Sequence, residues 1–301
     1  MIDGIINVYK EQGYTSFDVV AKLRGILKQK KIGHTGTLDP MAEGVLLVCL
    51  GKATRLVDML TAGTKEYRAI MRLGLTTNTE DITGSIMSQN GIAEALTESV
   101  VTSAVQSFVG QYDQIPPMYS AIKQNGKKLY EYARQGIEVE RKPRKVEIYS
   151  IENINVDLPD VQFDVHCSKG TYIRSLCRDI GDKLGCGAAL AGLVRQEVHG
   201  YRLDEALRLS EIEKLLEEGR LDPHIIPVDA LLQQYPACHI KKEYAKGLLN
   251  GNKLAEKCLQ DAPAEISDQS VIRIYLQDDF LALYQYCAAD KQYKPYKMFL
   301  N

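Results

Sequence analysis

Asp39 is the acid of a loop bracketed by Gly33, Gly36 and Gly44, in the run Gly33-His34-Thr35-Gly36-Thr37-Leu38-Asp39-Pro40. A carboxylate held in that way can attack, or stabilise, a sugar C1′ as a glycosidic bond breaks. Pro40 biases Asp39 away from the α region, and the glycines permit close approach by a bulky partner. An isolated Asp-Pro is also a common way to start a turn. Lys169-Gly170-Thr171-Tyr172-Ile173-Arg174 puts a glycine before a helix start and an arginine one turn inside it. A guanidinium there can pair with a carboxylate and orient it, or lie on a basic surface with Arg178. Tyr67, between charged neighbours in Lys65-Glu66-Tyr67-Arg68, can stack on an extruded base or simply pack. The five histidines (His34, His166, His199, His224 and His239) are scattered, no H-E-x-x-H occurs, and no metal is expected. Neither G-x-G-x-x-G after a strand nor G-x-x-x-x-G-K-[ST] is found, so no nucleotide cofactor is expected and side chains must suffice.

The elements that must position these groups follow from periodicity. Gly4 to Tyr9 reads as a strand, and Ser16 as the N-cap of a helix ending near Lys31 with Phe17, Val20, Leu23 and Leu27 on one side. Residues 33 to 44 carry too many breakers to be anything but a loop, anchored by the apolar strand Val45 to Leu50. Strands are expected over Glu66–Leu73, Lys145–Asn155, Val161–Cys167 and Ala188–Tyr201. Helices are expected over Ala95–Val109, Lys127–Gln135 and Thr171–Leu184, and from Ser210 with Glu213 as the capping-box residue. Thr76 to Ser85 reads as an acidic turn. Strands and helices interleave without a strict βαβ rhythm, which argues for an α+β fold with a mixed or antiparallel central sheet. Gly219 to Pro227 is the best boundary candidate, and the tyrosine-rich remainder suggests a small β-rich appendage.

Burial does not limit the stability of 301 residues of which 45% are hydrophobic. The longest apolar run, Val45 to Leu50, is far short of the roughly 18 residues of a membrane span. With no signal-peptide pattern at Met1-Ile2-Asp3-Gly4, a soluble cytoplasmic protein is expected. Seven cysteines, an odd number without a C-x-x-C pair, read as buried reduced thiols. The net charge of −2 conceals clustering. Val19 to Leu38 carries Lys22, Arg24, Lys28, Lys30 and Lys31 with no acid, beside the glycine-rich loop. Lys123 to Lys145 holds eight bases against three acids. Each run alone reads as a solvated face or as a phosphate-binding surface.

Three segments, in order and at matching spacing, resemble the bacterial tRNA pseudouridine-55 synthases. They are Gly33 to Pro40, then Pro117-Met118-Tyr119-Ser120-Ala121-Ile122-Lys123 with Gly126 to Arg134, and Cys167-Ser168-Lys169-Gly170-Thr171-Tyr172-Ile173-Arg174. The resemblance covers most of residues 4 to 200. It implies a pseudouridine synthase fold, with a catalytic domain over 1–230, an RNA-binding insertion near 114–145, and a small RNA-binding domain over 231–301, this last more loosely matched. It implies that Asp39 is the catalytic aspartate, that Arg174 salt-bridges to it, and that Tyr67 stacks on the target base. His34 matches a histidine that fills the space left by the flipped nucleotide. Lys10 matches a lysine that supports the catalytic loop, and Tyr172 and Leu193 match pocket-lining positions. Lys123, Lys127, Lys128 and Arg134 fall in a thumb-like insertion that closes over the RNA. Two positions depart from the family pattern: Glu11 stands where proline is usual, and Glu43 where a small or neutral residue is usual.

The activity so implied is isomerisation of uridine to pseudouridine at position 55 in the T-loop of tRNA, by a monomer that docks the T-arm and uses no cofactor. A non-catalytic RNA-folding chaperone and a guide-RNA-dependent synthase subunit are the alternatives. Retention of Asp39, Arg174 and Tyr67 together weighs against the first, and the basic insertion against the second.

Overall fold

A computed structural model describes residues 1–94, 96–263 and 265–300. Its first elements are strand β1 (Gly4–Lys10), helix α1 (Ser16–Ile26), the short strand β2 (Ile32–His34) and strand β3 (Glu43–Leu50). A short helix α2 (Val57–Leu60), strand β4 (Lys65–Leu73), hairpin β5 (Leu75–Thr77) and β6 (Ile86–Gln89), and helix α3 (Glu98–Gln106) follow. Strand β7 (Gly110–Gln114) leads to a small hairpin, β8 (Lys123–Gln124) and β9 (Lys127–Lys128), and to helix α4 (Leu129–Arg134). Then come β10 (Arg144–Asp157), β11 (Asp160–Cys167), α5 (Ile173–Lys183), β12 (Ala188–Val198), β13 (Tyr201–Arg202) and α6 (Leu209–Glu217). The last elements are β14 (Ala237–His239), α7 (Ala245–Leu249), β15 (Val271–Leu276), β16 (Asp279–Cys287) and β17 (Gln292–Met298).

The central sheet runs β1-β3-β12-β4-β11-β10-β7, with β2 added to β3 and β13 to β12. Only the contact of β12 with β3 is parallel, so the sheet is mixed and mainly antiparallel. β3 is buried on both faces, which is why its sequence is apolar without alternation. Leu46, Val48 and Leu50 pack under α1 and α6 with Val20, Leu23 and Ile212. Val45, Leu47 and Cys49 face the opposite way and share a cluster with Leu232, Leu283 and Phe299. The four-stranded sheet β14-β15-β16-β17 is therefore joined to the central sheet by apolar packing, besides having its own core around Ile272, Ile274 and Tyr284. The segment 219–227, read as a boundary, is itself docked: Ile226 exchanges backbone hydrogen bonds with Ile5 of β1. A third cluster, under α3 and α5, joins Tyr67, Ala69, Met71, Phe163, Leu176 and Leu193 to Leu38 and Met41 of the loop.

Several expected boundaries shift for local reasons. The cap of α1 is Thr15, whose side chain accepts from Asp18 N while Asp18 accepts from Thr15 N, and the helix stops at Ile26, not near Lys31. Its buried arc is Ser16, Val19, Val20 and Leu23, which leaves Phe17 outside the arc and 63% exposed. The helix expected from Ser210 starts at Leu209, where Glu211 instead of Glu213 accepts from the backbone of Arg208. The helix expected from Ala95 starts at Glu98 behind Thr97; Ala95 itself lies outside the described residues. All seven cysteines are free, six buried and Cys287 partly so.

Candidate active site

The loop from Thr35 to Ala42 connects β2 to β3 and is fastened from three directions. Ser16, the first residue of α1, accepts from Leu38 N at 2.9 Å. Lys10, at the end of β1 and wholly buried, donates from Nζ to Ala42 O at 2.5 Å. Arg195, on β12 and 1% exposed, donates to Gly36 O at 3.2 Å and to Val45 O at 2.6 Å. β3 then starts through Gly44, its second residue, whose φ of +106° suits only glycine, and whose missing Cβ would lie 2.3 Å from Arg195 O. Gly44→Ala is expected to destabilise the fold by at least about 1 to 3 kcal/mol through overlap and backbone strain, measurable by urea unfolding.

Held this way, Asp39 presents its carboxylate, 39% exposed, to Arg174, whose side chain is 5% exposed; Arg174 Nε and Asp39 Oδ2 are 2.9 Å apart. Every edge of that guanidinium is used. Nη1 donates to Thr79 O and Nη2 to Tyr119 O, each at 2.9 Å, and Asp81 Oδ2 lies 3.8 Å from Nη1. Asp81 is in turn fixed by Thr79 Oγ1 and by the backbone and hydroxyl of Thr83. The stretch read only as an acidic turn thus supplies the bracket for Arg174. Gln114, 1% exposed, clamps Tyr172 at the head of α5, donating to Tyr172 O at 3.1 Å and accepting from Tyr172 N at 2.8 Å.

A cavity of about 790 Å³ opens beside the ion pair, a volume ordinary for a small-ligand site. It is lined by Asp39, Tyr67, Tyr172, Arg174 and Leu193, so these five expected site residues converge. Tyr67 faces it from β4 with 8% exposure. Burial raises the Tyr67 phenol above its ordinary pKa, and the neighbouring Arg195 charge opposes that rise. Burial also raises the Tyr172 phenol. A smaller cavity of about 570 Å³ shares Asp39, Arg174, Tyr119 and Tyr130 and is bordered by Arg134. The other expected residues lie outside both. His34 sits on β2, its Nδ1 buried without a partner, and its pKa is lowered by burial and then by Arg195. Lys10 supports the loop from beneath. Lys123 pairs with Lys128, and Gln124 with Lys127, in the small basic hairpin that precedes α4. Lys128 and Arg134 both lie over the ring of Tyr130, at 5.4 and 5.3 Å from its centroid.

Among the lining residues not expected from sequence, two carry charge close to Tyr67. Arg195 stands opposite Tyr67 in the strand register, and Lys65 donates to Thr61 O and Gly63 O. The only sequence signal for Arg195 is an arginine two places after Leu193, at the start of a polar Arg195-Gln196-Glu197 run that ends an apolar strand. The unusual residues have partners of their own. Glu11 pairs with Arg208 at 2.6 Å, and Arg208 lies 4.4 Å from the centroid of the Tyr9 ring. Glu43 acts on Tyr9, raising its phenol pKa after the larger effect of burial.

Burial pushes the Lys10 ammonium down to about 8, against the opposing charge of Asp39, from an ordinary 10.5. Lys65 is likewise pushed down to about 8, by burial and then by Arg195. Between pH 8 and 10.5 the unfolded chain therefore holds protons that the folded protein has released, and these lysines make stability rise with pH in that window. Lys10→Met removes that contribution, so its Tm relative to the parent is expected to fall as pH rises from 8 to 10, in thermal melts of both proteins taken at half-unit steps.

Among the described residues there is no group of three or more His, Cys, Asp or Glu side chains suited to a metal ion, and no helix is long and apolar enough to cross a membrane.

Residues 24–173 match the model of the TruB family pseudouridylate synthase N-terminal domain, and residues 174–233 that of a tRNA pseudouridylate synthase B C-terminal domain. The chain is 50% identical to a protein of Lachnoclostridium phytofermentans named tRNA pseudouridine synthase B, over 99% of this chain and all of that one. It is 46% identical to a protein of the same name from Clostridium tetani, over 94% of this chain and 96% of the relative. Among solved structures it is similar to a chain of a Cbf5-Nop10-Gar1 complex, with a TM-score of 0.74, 29% identity and coverage of 99% of this chain and 85% of that one. It is also similar to a chain of an H/ACA RNP bound to a substrate RNA containing 2′-deoxyuridine, at a TM-score of 0.73 and 26% identity. With matched models spanning 24 to 233 and full-length relatives at this identity, the chain belongs to the TruB family of pseudouridylate synthases.

Proposed function

We propose that the protein isomerises uridine to pseudouridine at position 55 in the T-loop of tRNA, with Asp39 as the carboxylate that acts at the ribose. The observation that carries this reading is the Asp39–Arg174 pair, one partner buried and the other open to a cavity that also holds Tyr67 and Leu193. The target uridine leaves its stack and enters the cavity, where Tyr67 and Leu193 hold the base and Tyr172 adds to the wall. The N1–C1′ bond breaks, the uracil turns, and C5 bonds to C1′; C5 gives up its proton and N1 gains one. Atoms and electrons balance without an oxidant or an energy donor, so the reaction asks for no cofactor. Lys10 keeps the loop in register, and Lys123, Lys127, Lys128 and Arg134 meet RNA phosphates. In this reading the region 1–230 is the catalytic domain with its insertion near 114–145, and 231–301 is an RNA-binding appendage. The protein acts as a monomer in the cytoplasm. The relatives named tRNA pseudouridine synthase B support tRNA as the substrate.

The likeness to Cbf5 favours one competing reading, a subunit that needs a guide RNA, while the higher identity to relatives named for tRNA weighs against it. Purified protein incubated with an unmodified tRNA transcript, followed by chemical primer-extension mapping, decides among the possibilities. Pseudouridine at position 55 without added guide is the expected result. Binding without product would point to an RNA-folding protein, and product only with a guide would point to the subunit; either overturns the proposal.

A further inference from the structure

The cavity lies between two helices on one face of the central sheet. Arg195 of β12 stands opposite Tyr67 of β4 on one side and Gly44 of β3 on the other. Alternation along β3 then puts Leu46 and Val48 on the Tyr67 face. Helix α1 packs on Leu46 and Val48, whereas α5 packs in the cluster that contains Tyr67. Thr15, the cap of α1, lines the cavity itself, so α1 runs away from the cavity wall for about 16 Å.

Its outer surface is basic, with an exposed ring at its N-terminal end. Phe17, Ala21 and Arg24 recur at helical spacing on α1, Lys28 follows just past its end, and all four are exposed. Lys22, Lys30 and Lys31 are exposed beside them. None of these five cations enters an ion pair among the described residues, unlike Arg68, Arg72 and Arg208, which are matched to Asp164, Asp160 and Glu11; Arg24 Nη2 donates only to the Ile32 carbonyl, at 3.4 Å. The nearest acid in sequence, Asp18, is occupied by the Thr15 backbone and hydroxyl in the cap. Two of the cations lie over aromatic rings: Arg24 is 5.8 Å from the centroid of Phe17 and Lys22 is 5.0 Å from that of Tyr14. A row of unneutralised cations beside an exposed ring suits a strand of phosphates with an unstacked base, and it suits an apolar or acidic protein surface less well.

We propose that helix α1, with Lys28 just past its C-terminal end, is an RNA-docking strip distinct from the 123–145 insertion, in which Lys22, Arg24 and Lys28 meet phosphates flanking the target nucleotide and Phe17 takes an unpaired base on its ring. This rests on the reading of the cavity as a nucleotide site. Ala21 lies between Phe17 and Arg24, small enough for a sugar-phosphate backbone to come close to the helix.

The test is equilibrium binding of full-length protein to an unmodified tRNA transcript across a salt series, in an Asp39→Asn background so that no turnover intrudes. The variant Lys22→Gln/Arg24→Gln/Lys28→Gln changes only exposed side chains, and its fold is checked by thermal melting. Three lost phosphate contacts should reduce the slope of log Kd against log salt by about 2 to 3, and weaken binding at least about tenfold near physiological salt. Phe17→Ala should weaken binding without changing the slope, because the ring carries no charge. Arg202→Gln/Lys214→Gln/Arg220→Gln removes three exposed cations elsewhere and should leave the slope nearly as in the parent. An unchanged slope in the α1 variant, or an equal change in this control, overturns the strip; an unchanged affinity in Phe17→Ala removes the ring from it. Failure of the parent to make pseudouridine would count against the proposed reaction and leaves this binding result readable on its own.

Discussion

Asp39→Asn is expected to slow isomerisation by roughly 10⁴-fold or more while leaving the dissociation constant for tRNA close to that of the parent. Asparagine has nearly the volume of aspartate and can still accept a hydrogen bond from Arg174, so the loop keeps its anchors at Ser16, Lys10 and Arg195. What is lost is the negative charge beside the ribose. Affinity survives because it comes mainly from phosphates meeting basic side chains, none of which is altered. Single-turnover kinetics with saturating enzyme, paired with filter binding, separates the two quantities. Turnover at the parental rate would end the assignment of Asp39, and loss of binding in step with rate would make its role structural.

Arg174 is the second position where a large effect is expected, and its two substitutions differ in an informative way. Arg174→Met leaves Asp39 without its partner and the carbonyls of Thr79 and Tyr119 without their donors. Breaking a fully buried pair costs about 3 to 5 kcal/mol; because Asp39 is 39% exposed, water takes up part of the loss, and about 2 to 3 kcal/mol is expected in urea unfolding. The rate should fall by about 10² to 10³ or more, since the carboxylate is no longer oriented. Arg174→Lys keeps the charge but lacks the planar fork that serves Asp39, Thr79 and Tyr119 together. It should recover more of the stability than of the rate. A lysine variant that turns over like the parent would mean that charge alone matters and the three-way geometry does not.

Much of this site is legible in the sequence. The breakers around Asp39 mark a loop, β3 reads as a buried strand from its unbroken apolar run, and the segments that carry Asp39 and Arg174 fall in the ordered motifs of the family. Those signals are local or family-wide. The bracket around Arg174 is neither: Thr79 and Tyr119 reach it across 95 and 55 residues of chain, through backbone carbonyls that any side chain would carry. Gln114 clamps Tyr172 across 58 residues and looks from sequence like any polar strand end.

What the amino-acid order determined by itself is therefore the longer helices and strands and the loop that carries Asp39, because helix and strand periods and turn chemistry act over a few residues. The tertiary structure alone decided which side of α1 faces water, that Arg195 lies beneath the loop, and that the C-terminal sheet shares a core with β3. Each of these depends on which distant surface is left to cover an apolar face or satisfy a buried polar group, and no short-range pattern specifies that.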